Sequence, residues 1–129
     1  MTVTIDLNLS VSGRVLVFED DFLLAGTLAD VLARLGCKWV ACVGSFDQAM
    51  VAAETQICDL AVVDLDLRGH SAAPILDKLI ARAIPYILAT CTARSDIPST
   101  YAAAPCISKP YNLHALGNAI QLACGKDPK

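Results

Sequence analysis

The chain has 129 residues and a net charge of −3, with 55% hydrophobic, 5% aromatic and 18% charged residues. That is one domain's worth of chain, long enough to bury a core without a metal or disulfide. The composition excludes a disordered polymer, and the acidic balance excludes a general basic footprint for nucleic acid.

No run of about 18 apolar residues occurs, so no membrane span is expected. Met1 to Asp6 has no basic stretch followed by an apolar block, so no signal peptide is read. Both readings point to the cytoplasm. Six cysteines (Cys37, Cys42, Cys58, Cys91, Cys106 and Cys124) form no C-x-x-C pair and sit at no finger-like spacing from His70 or His114. They are expected to be mostly buried, reduced thiols.

Residues 2–12 alternate strictly between polar and apolar, from Thr2 and Val3 to Val11 and Ser12. A period of two predicts either a tail or an extra strand that pairs with the sheet edge or with a second copy, as in a homodimer. Arg14 to Phe18 is a nearly continuous apolar run, the pattern of a strand buried on both faces. Phe22 to Leu35 carries Leu24, Leu28, Val31, Leu32 and Leu35 at helical spacing and closes on Gly36. Trp39 to Val43 reads as a second strand. Ser45-Phe46-Asp47-Gln48 is a capping box that opens a helix with Phe46, Ala49, Met50 and Ala53 on one face.

Leu60 to Val63 is the third strand. After a loop at Gly69, Ser71 is expected to cap a helix that buries Ile75, Leu76, Leu79 and Ile80. Tyr86 to Ala89 is the fourth strand and Cys106 to Ser108 a short fifth. Asn112 is expected to cap a last helix, with Leu113, Leu116, Ile120 and Ala123 facing inward and Gly125 ending it. Between Thr90 and Pro105, the segment Arg94 to Tyr101 is polar, contains Pro98 and shows no clear apolar stripe, so an irregular fourth helix is predicted there.

Strands alternating with helices predict a doubly wound, flavodoxin-like α/β fold. Its five parallel strands take the order 2-1-3-4-5, with helices on both faces. The expected division is an arm at 1–12, one domain at 13–125 and a tail at 126–129.

Ligands of such sheets bind beyond the carboxyl ends of the strands, where strand order reverses. Glu19, Asp20 and Asp21 follow the first strand, and Asp64 and Asp66 the third. Thr90 follows the fourth strand, and Lys109-Pro110 the fifth. Two unit charges about 4 Å apart repel by about 4 kcal/mol at an effective dielectric near 20, so clustered acids call for a cation. Hard oxygen donors with room for water suit Mg²⁺. Lys109 and Thr90 can hold phosphoryl oxygens, and a carboxylate can act as the phosphoryl-accepting nucleophile.

The segments Val-Leu-Val-Phe-Glu19-Asp20-Asp21, Leu-Ala-Val-Val-Asp64-Leu-Asp66-Leu, Ile-Leu-Ala-Thr90 and Ile-Ser-Lys109-Pro110-Tyr111 resemble the motif segments of response-regulator receiver domains. The resemblance spans about residues 14–124. It implies that Asp64 accepts the phosphoryl group. Asp20 then binds Mg²⁺ directly, Glu19 acts through water, and Asp66 offers its backbone carbonyl. Thr90 becomes the switch hydroxyl and Lys109 the phosphoryl contact. It also implies a cis Lys109–Pro110 bond. The implied partners are a histidine kinase or histidine phosphotransfer protein and a downstream protein target, with no nucleic acid and no membrane. The chain would be a phosphoacceptor rather than a turnover enzyme.

Two departures stand out. Cys106 occupies the place of the family's switch aromatic. Leu88-Ala89-Thr90-Cys91-Thr92 is similar to the Phe-Ala-Thr-Gly-aromatic motif of a receiver subset with an irregular fourth helix.

The simplest reading is a stand-alone receiver, with only Gly125 to Lys129 after the last helix. It would act by protein contact or as a phosphate relay or sink. The alternative is a receiver-like binding module that works without phosphorylation. A third reading takes Asp64-Leu65-Asp66 as the D-x-D pair of a haloacid-dehalogenase-like phosphatase. That pair normally lies on a first strand, whereas here it lies mid-chain. Taken singly, the acids after the first strand also suit helix capping, and Asp21 suits it best. Arg68, His70 and His114 read as solvated, and Trp39 as core or sheet-edge packing.

Overall fold

The computed structural model describes residues 13–90, 97, 99–101, 104–108 and 113–123. Several expectations lie outside the described residues: the arm at 1–12, Cys91, the Lys109–Pro110 bond, Tyr111, the Asn112 cap, Cys124, the Gly125 stop and the tail.

Described elements run β1 (Arg14–Phe18), α1 (Phe22–Arg34), β2 (Trp39–Val43), α2 (Phe46–Thr55), β3 (Leu60–Asp64), β4 (Asp66–Leu67), β5 (His70–Ser71), α3 (Ala73–Ala81), β6 (Tyr86–Thr90), β7 (Cys106–Ser108) and α4 (Leu113–Ala123). The main sheet is parallel, in the order β2-β1-β3-β6-β7. Counting only its own strands, this is the predicted 2-1-3-4-5. No helix among the described residues is long and apolar enough to cross a membrane.

The middle of each central strand is apolar at consecutive positions (Val15–Phe18, Leu60–Val63, Ile87–Ala89) because both faces are covered. Leu16, Phe18, Ala61, Val63 and Leu88 face one cluster with Ala49, Ala53, Ile75, Leu76 and Leu79 from α2 and α3. Val15, Val17, Leu60, Val62, Ile87 and Ala89 face the other, with Leu28 and Leu32 from α1 and Leu116 and Ile120 from α4. Neighbouring residues thus serve opposite layers, as the pleat requires. On the first face, Lys78 Nζ meets Glu54 Oε1 at 2.6 Å and Arg82 Nη1 donates to the Ala53 carbonyl at 2.8 Å, so α3 is tied to α2 by polar contacts as well.

Local signals explain most boundaries. Asp21 caps α1, its Oδ1 accepting from Leu23 and Leu24 N–H at 3.0 and 3.1 Å. Gly36 leaves that helix at φ +101°, a conformation that favours glycine. Ser45 caps α2, its hydroxyl accepting from Gln48 N–H at 3.2 Å. Trp39 lies on edge strand β2 with the Arg14 guanidinium 4.8 Å above its ring.

Five local expectations need correction. The loop at Gly69 is a tight antiparallel hairpin, β4–β5. Ser71 belongs to that hairpin and is not the cap of α3. Its hydroxyl accepts from Ala73 N–H at 3.2 Å, but the N-cap position is Ala72, with no side-chain cap bond. A proline in the first turn, which has no N–H to satisfy, helps the helix start there. Ile80 is 46% exposed, because the apolar stripe of α3 runs through Ile75, Leu76 and Leu79 only. Of the described cysteines only Cys37 is buried; Cys42 is exposed on the edge strand, and Cys58 and Cys106 are intermediate. Finally, the segment before β7 contributes to the core without an apolar stripe: Ile97 and Tyr101 are 6% and 7% exposed. Among its described residues the conformation is turn or bend.

Candidate functional site

The register of the sheet assembles the acids. Phe18 of β1 lies level with Val63 of β3. One step further along parallel neighbours come Glu19 and Asp64. Glu19, Asp20 and Asp64 each offer an oxygen, and these oxygens lie within 4.8 Å of one another. Glu19 is 3% and Asp64 7% exposed, and they are the buried charged residues among those described. Asp20 is half-buried.

Backbone groups set the orientation. The Glu19 amide donates to the Val43 carbonyl at 3.1 Å, fixing the chain as it leaves β1. Glu19 Oε2 accepts from Asp21 N–H at 3.1 Å. Asp20 Oδ2 accepts from Arg68 N–H at 2.7 Å. Asp21 spends its carboxylate on the α1 cap and so stands apart from the cluster. The donor set is hard, anionic oxygen, which fits Mg²⁺ and does not fit a soft metal.

The other expected site residues are placed by backbone. Asp64 pairs with Ala89, so Thr90, the last residue of β6, lies one step beyond it on the neighbouring strand. Asp66 sits in β4 opposite Ser71. Leu67 and His70 flank the two-residue turn, and Ala72 N–H donates to the Leu65 carbonyl at 3.0 Å. In an antiparallel ladder the pair between two bonded pairs is a non-bonded one. The Asp66 carbonyl is therefore turned away from its partner strand. The side chains of Asp66 and Thr90, and all of Lys109, lie outside the described residues.

Three features of the surroundings were not read from the sequence. One is the Arg68 amide on Asp20. Another is the His70 ring stacked on Phe46 at the start of α2, with centroids 4.8 Å apart and planes 23° apart. The third is Tyr101, whose hydroxyl donates to Asp77 Oδ1 at 2.8 Å beneath α3. Gly69 suits a turn, but two-residue strands are too short to give an alternation signal. His114 is exposed, as expected. Beside the acids, Phe22 and Leu23 at the start of α1 are 87% and 77% exposed.

No family model matches the chain. It is similar to the solution structure of SdrG from Sphingomonas melonis Fr1, with 30% identity, 86% of this chain and 93% of that chain covered, and a TM-score of 0.74. A structure of SdrG from Pseudomonas melonis Fr1 in a BeF3-activated conformation gives 30% identity, 89% and 97% coverage, and a TM-score of 0.73. The receiver domain of the sensor histidine kinase PA1611 from Pseudomonas aeruginosa PAO1, solved with magnesium in its active-site cleft, shares the fold. It has 23% identity, 88% and 98% coverage, and a TM-score of 0.73. Among curated proteins, the chain is 26% identical over 127 residues to the transcriptional regulatory protein PdtaR of Mycobacterium tuberculosis. The match covers 95% of this chain, which spans 62% of that protein's length.

Proposed function

Because the chain belongs to the response-regulator receiver family, we propose that it takes a phosphoryl group onto Asp64 from a histidine kinase or histidine phosphotransfer protein in the cytoplasm. The observation that carries this reading is the convergence of Glu19, Asp20 and Asp64 at the carboxyl edge of β1 and β3.

An Asp64 oxygen attacks the phosphorus of a phosphohistidine in line. The new P–O bond forms as the P–N bond breaks, and the departing imidazole keeps the electron pair and gains a proton. Asp20, Asp64 and the Asp66 carbonyl would hold Mg²⁺, with Glu19 acting through water. The ion, when bound, supplies positive charge against the negative charge of the transition state. Lys109 and the Thr90 hydroxyl are assigned to the phosphoryl oxygens, where fixed donors are most effective. The acyl phosphate then hydrolyses and resets the signal. Such a domain is a phosphoacceptor, not a turnover enzyme. Phe22 and Leu23 offer an apolar contact beside the acids for the donor protein.

The test is incubation with acetyl phosphate and Mg²⁺, read by intact mass. Wild type should gain one phosphoryl group, while Asp64→Asn, or wild type in EDTA, should gain none. A wild type that gains nothing, or an Asp64→Asn variant that gains as much, overturns the reading.

One observation favours a second reading, a module whose binding ignores phosphorylation. Cys106, where the family's switch aromatic would stand, is a partly buried residue packed against the cluster of α2 and α3. Partner affinity with and without beryllofluoride separates the two: equal affinity favours the second.

A further inference from the structure

Arg68 and Gly69 are the two central residues of the β4–β5 turn, with φ of +52° and +84°. Positive φ at both positions is the type I′ geometry that suits a two-residue hairpin. Glycine adopts it freely, whereas arginine does so only when the surroundings hold it there.

The surroundings do hold it. Leu67 is fully buried in the cluster under α2 and α3. His70 stacks on Phe46. The Ala72 amide closes the base of the hairpin on the Leu65 carbonyl. With both arms fixed, the Arg68 N–H is aimed at Asp20 Oδ2, 2.7 Å away and 48 residues distant in sequence. That length is at the short end for an amide bonded to a charged oxygen.

We propose that the backbone N–H of Arg68 is a positioning group for the metal site. It pins one oxygen of Asp20 and leaves the other turned to the ion. The inference rests on the reading of Asp20 as a metal ligand. Asp20 is half-buried and lies beside two buried acids, so without a restraint its carboxylate would rotate towards water, away from Glu19 and Asp64. The neutral amide restrains it without cancelling the negative charge that attracts the cation. Groups of this kind, one bond removed from the ion, typically change metal affinity by 10–100-fold. The arginine side chain plays no part: the site needs an N–H at position 68 and a backbone at positive φ.

The experiment compares Mn²⁺ and Mg²⁺ affinities by titration calorimetry on the full chain, with folding checked by circular dichroism. Arg68→Gly keeps the N–H and fits the turn, and should bind within about twofold of wild type. An ester in place of the peptide bond between Leu67 and Arg68 removes the N–H but keeps the chain's shape. It should bind about tenfold more weakly or worse. Equal affinity of the ester and wild type overturns the inference. So does an Arg68→Gly variant as weak as the ester, since the side chain would then be responsible. A wild type that binds neither ion overturns the metal reading, and the inference with it. That result differs from one in which wild type binds and the ester binds equally.

Discussion

At the scale of single residues, Tyr101 combines burial with a specific polar partner. Its ring packs in the cluster with Ile75, Leu76 and Leu79, and its hydroxyl donates to Asp77 Oδ1. Burial, and then the bond to Asp77, hold the phenol neutral and push its pKa from 10.0 up to about 12. A pKa raised on folding stabilises the native state fully below the unfolded value and loses that contribution as pH rises through the folded one. The contribution of Tyr101 is thus complete below pH 10 and disappears by about pH 12. Tyr101→Phe should lose about 1 kcal/mol in urea melts near neutrality, because exposed Asp77 can be solvated again. It should also lose the last tyrosinate absorbance step on alkaline titration. Neither role was legible in the sequence, since a lone tyrosine in a polar stretch gives no periodic signal. The acids were legible, because apolar runs mark where strands end and Glu19, Asp20 and Asp64 stand at those ends. The Arg68 amide was not, because a backbone group has no sequence identity and its direction depends on φ.

At the scale of elements, the strands and helices were readable where one residue pattern had one physical cause. Double burial makes β1 apolar after Arg14 and β3 apolar up to Asp64, and a single buried stripe gives α1 its spacing. The hairpin was not readable, because each arm has only two residues. In α3 the pattern was ambiguous by one position: Leu79 and Ile80 are adjacent and equally apolar, yet Leu79 is fully buried and Ile80 is 46% exposed. Sequence alone cannot choose between them, because the choice depends on how the helix sits on α2 and the sheet. Truncation can read that placement directly. Leu79→Ala should destabilise by about 2–5 kcal/mol, from lost transfer energy plus a cavity. Ile80→Ala should cost under about 1 kcal/mol. Urea melts of the two variants check this, and comparable losses would mean that α3 is rotated about its axis.

At the scale of the whole molecule, two sealed apolar layers leave one edge of the sheet for polar chemistry, and the parallel register brings the acids together there. The layers supply the stability that lets three carboxylates stay close. Their mutual repulsion works against folding whenever no cation is bound. On the proposed reading, Mg²⁺ at these acids would reverse the sign, since an ion that binds only the native arrangement stabilises it by mass action. Asp64→Asn keeps the shape, removes one charge and offers N–H donors to the remaining acids. Two opposite outcomes are therefore expected of the same substitution. In EDTA, Asp64→Asn should be more stable than wild type by about 1 kcal/mol or more, a share of the ~4 kcal/mol that two unit charges exert at 4 Å. In millimolar Mg²⁺ the order should narrow or invert, because wild type gains ion binding that the variant has largely lost. Thermal melts of both proteins across a Mg²⁺ series measure this directly. An Asp64→Asn variant less stable than wild type in EDTA would show that the contacts of the Asp64 carboxylate outweigh its repulsion. Parallel Mg²⁺ responses in the two proteins would remove Asp64 from the metal site.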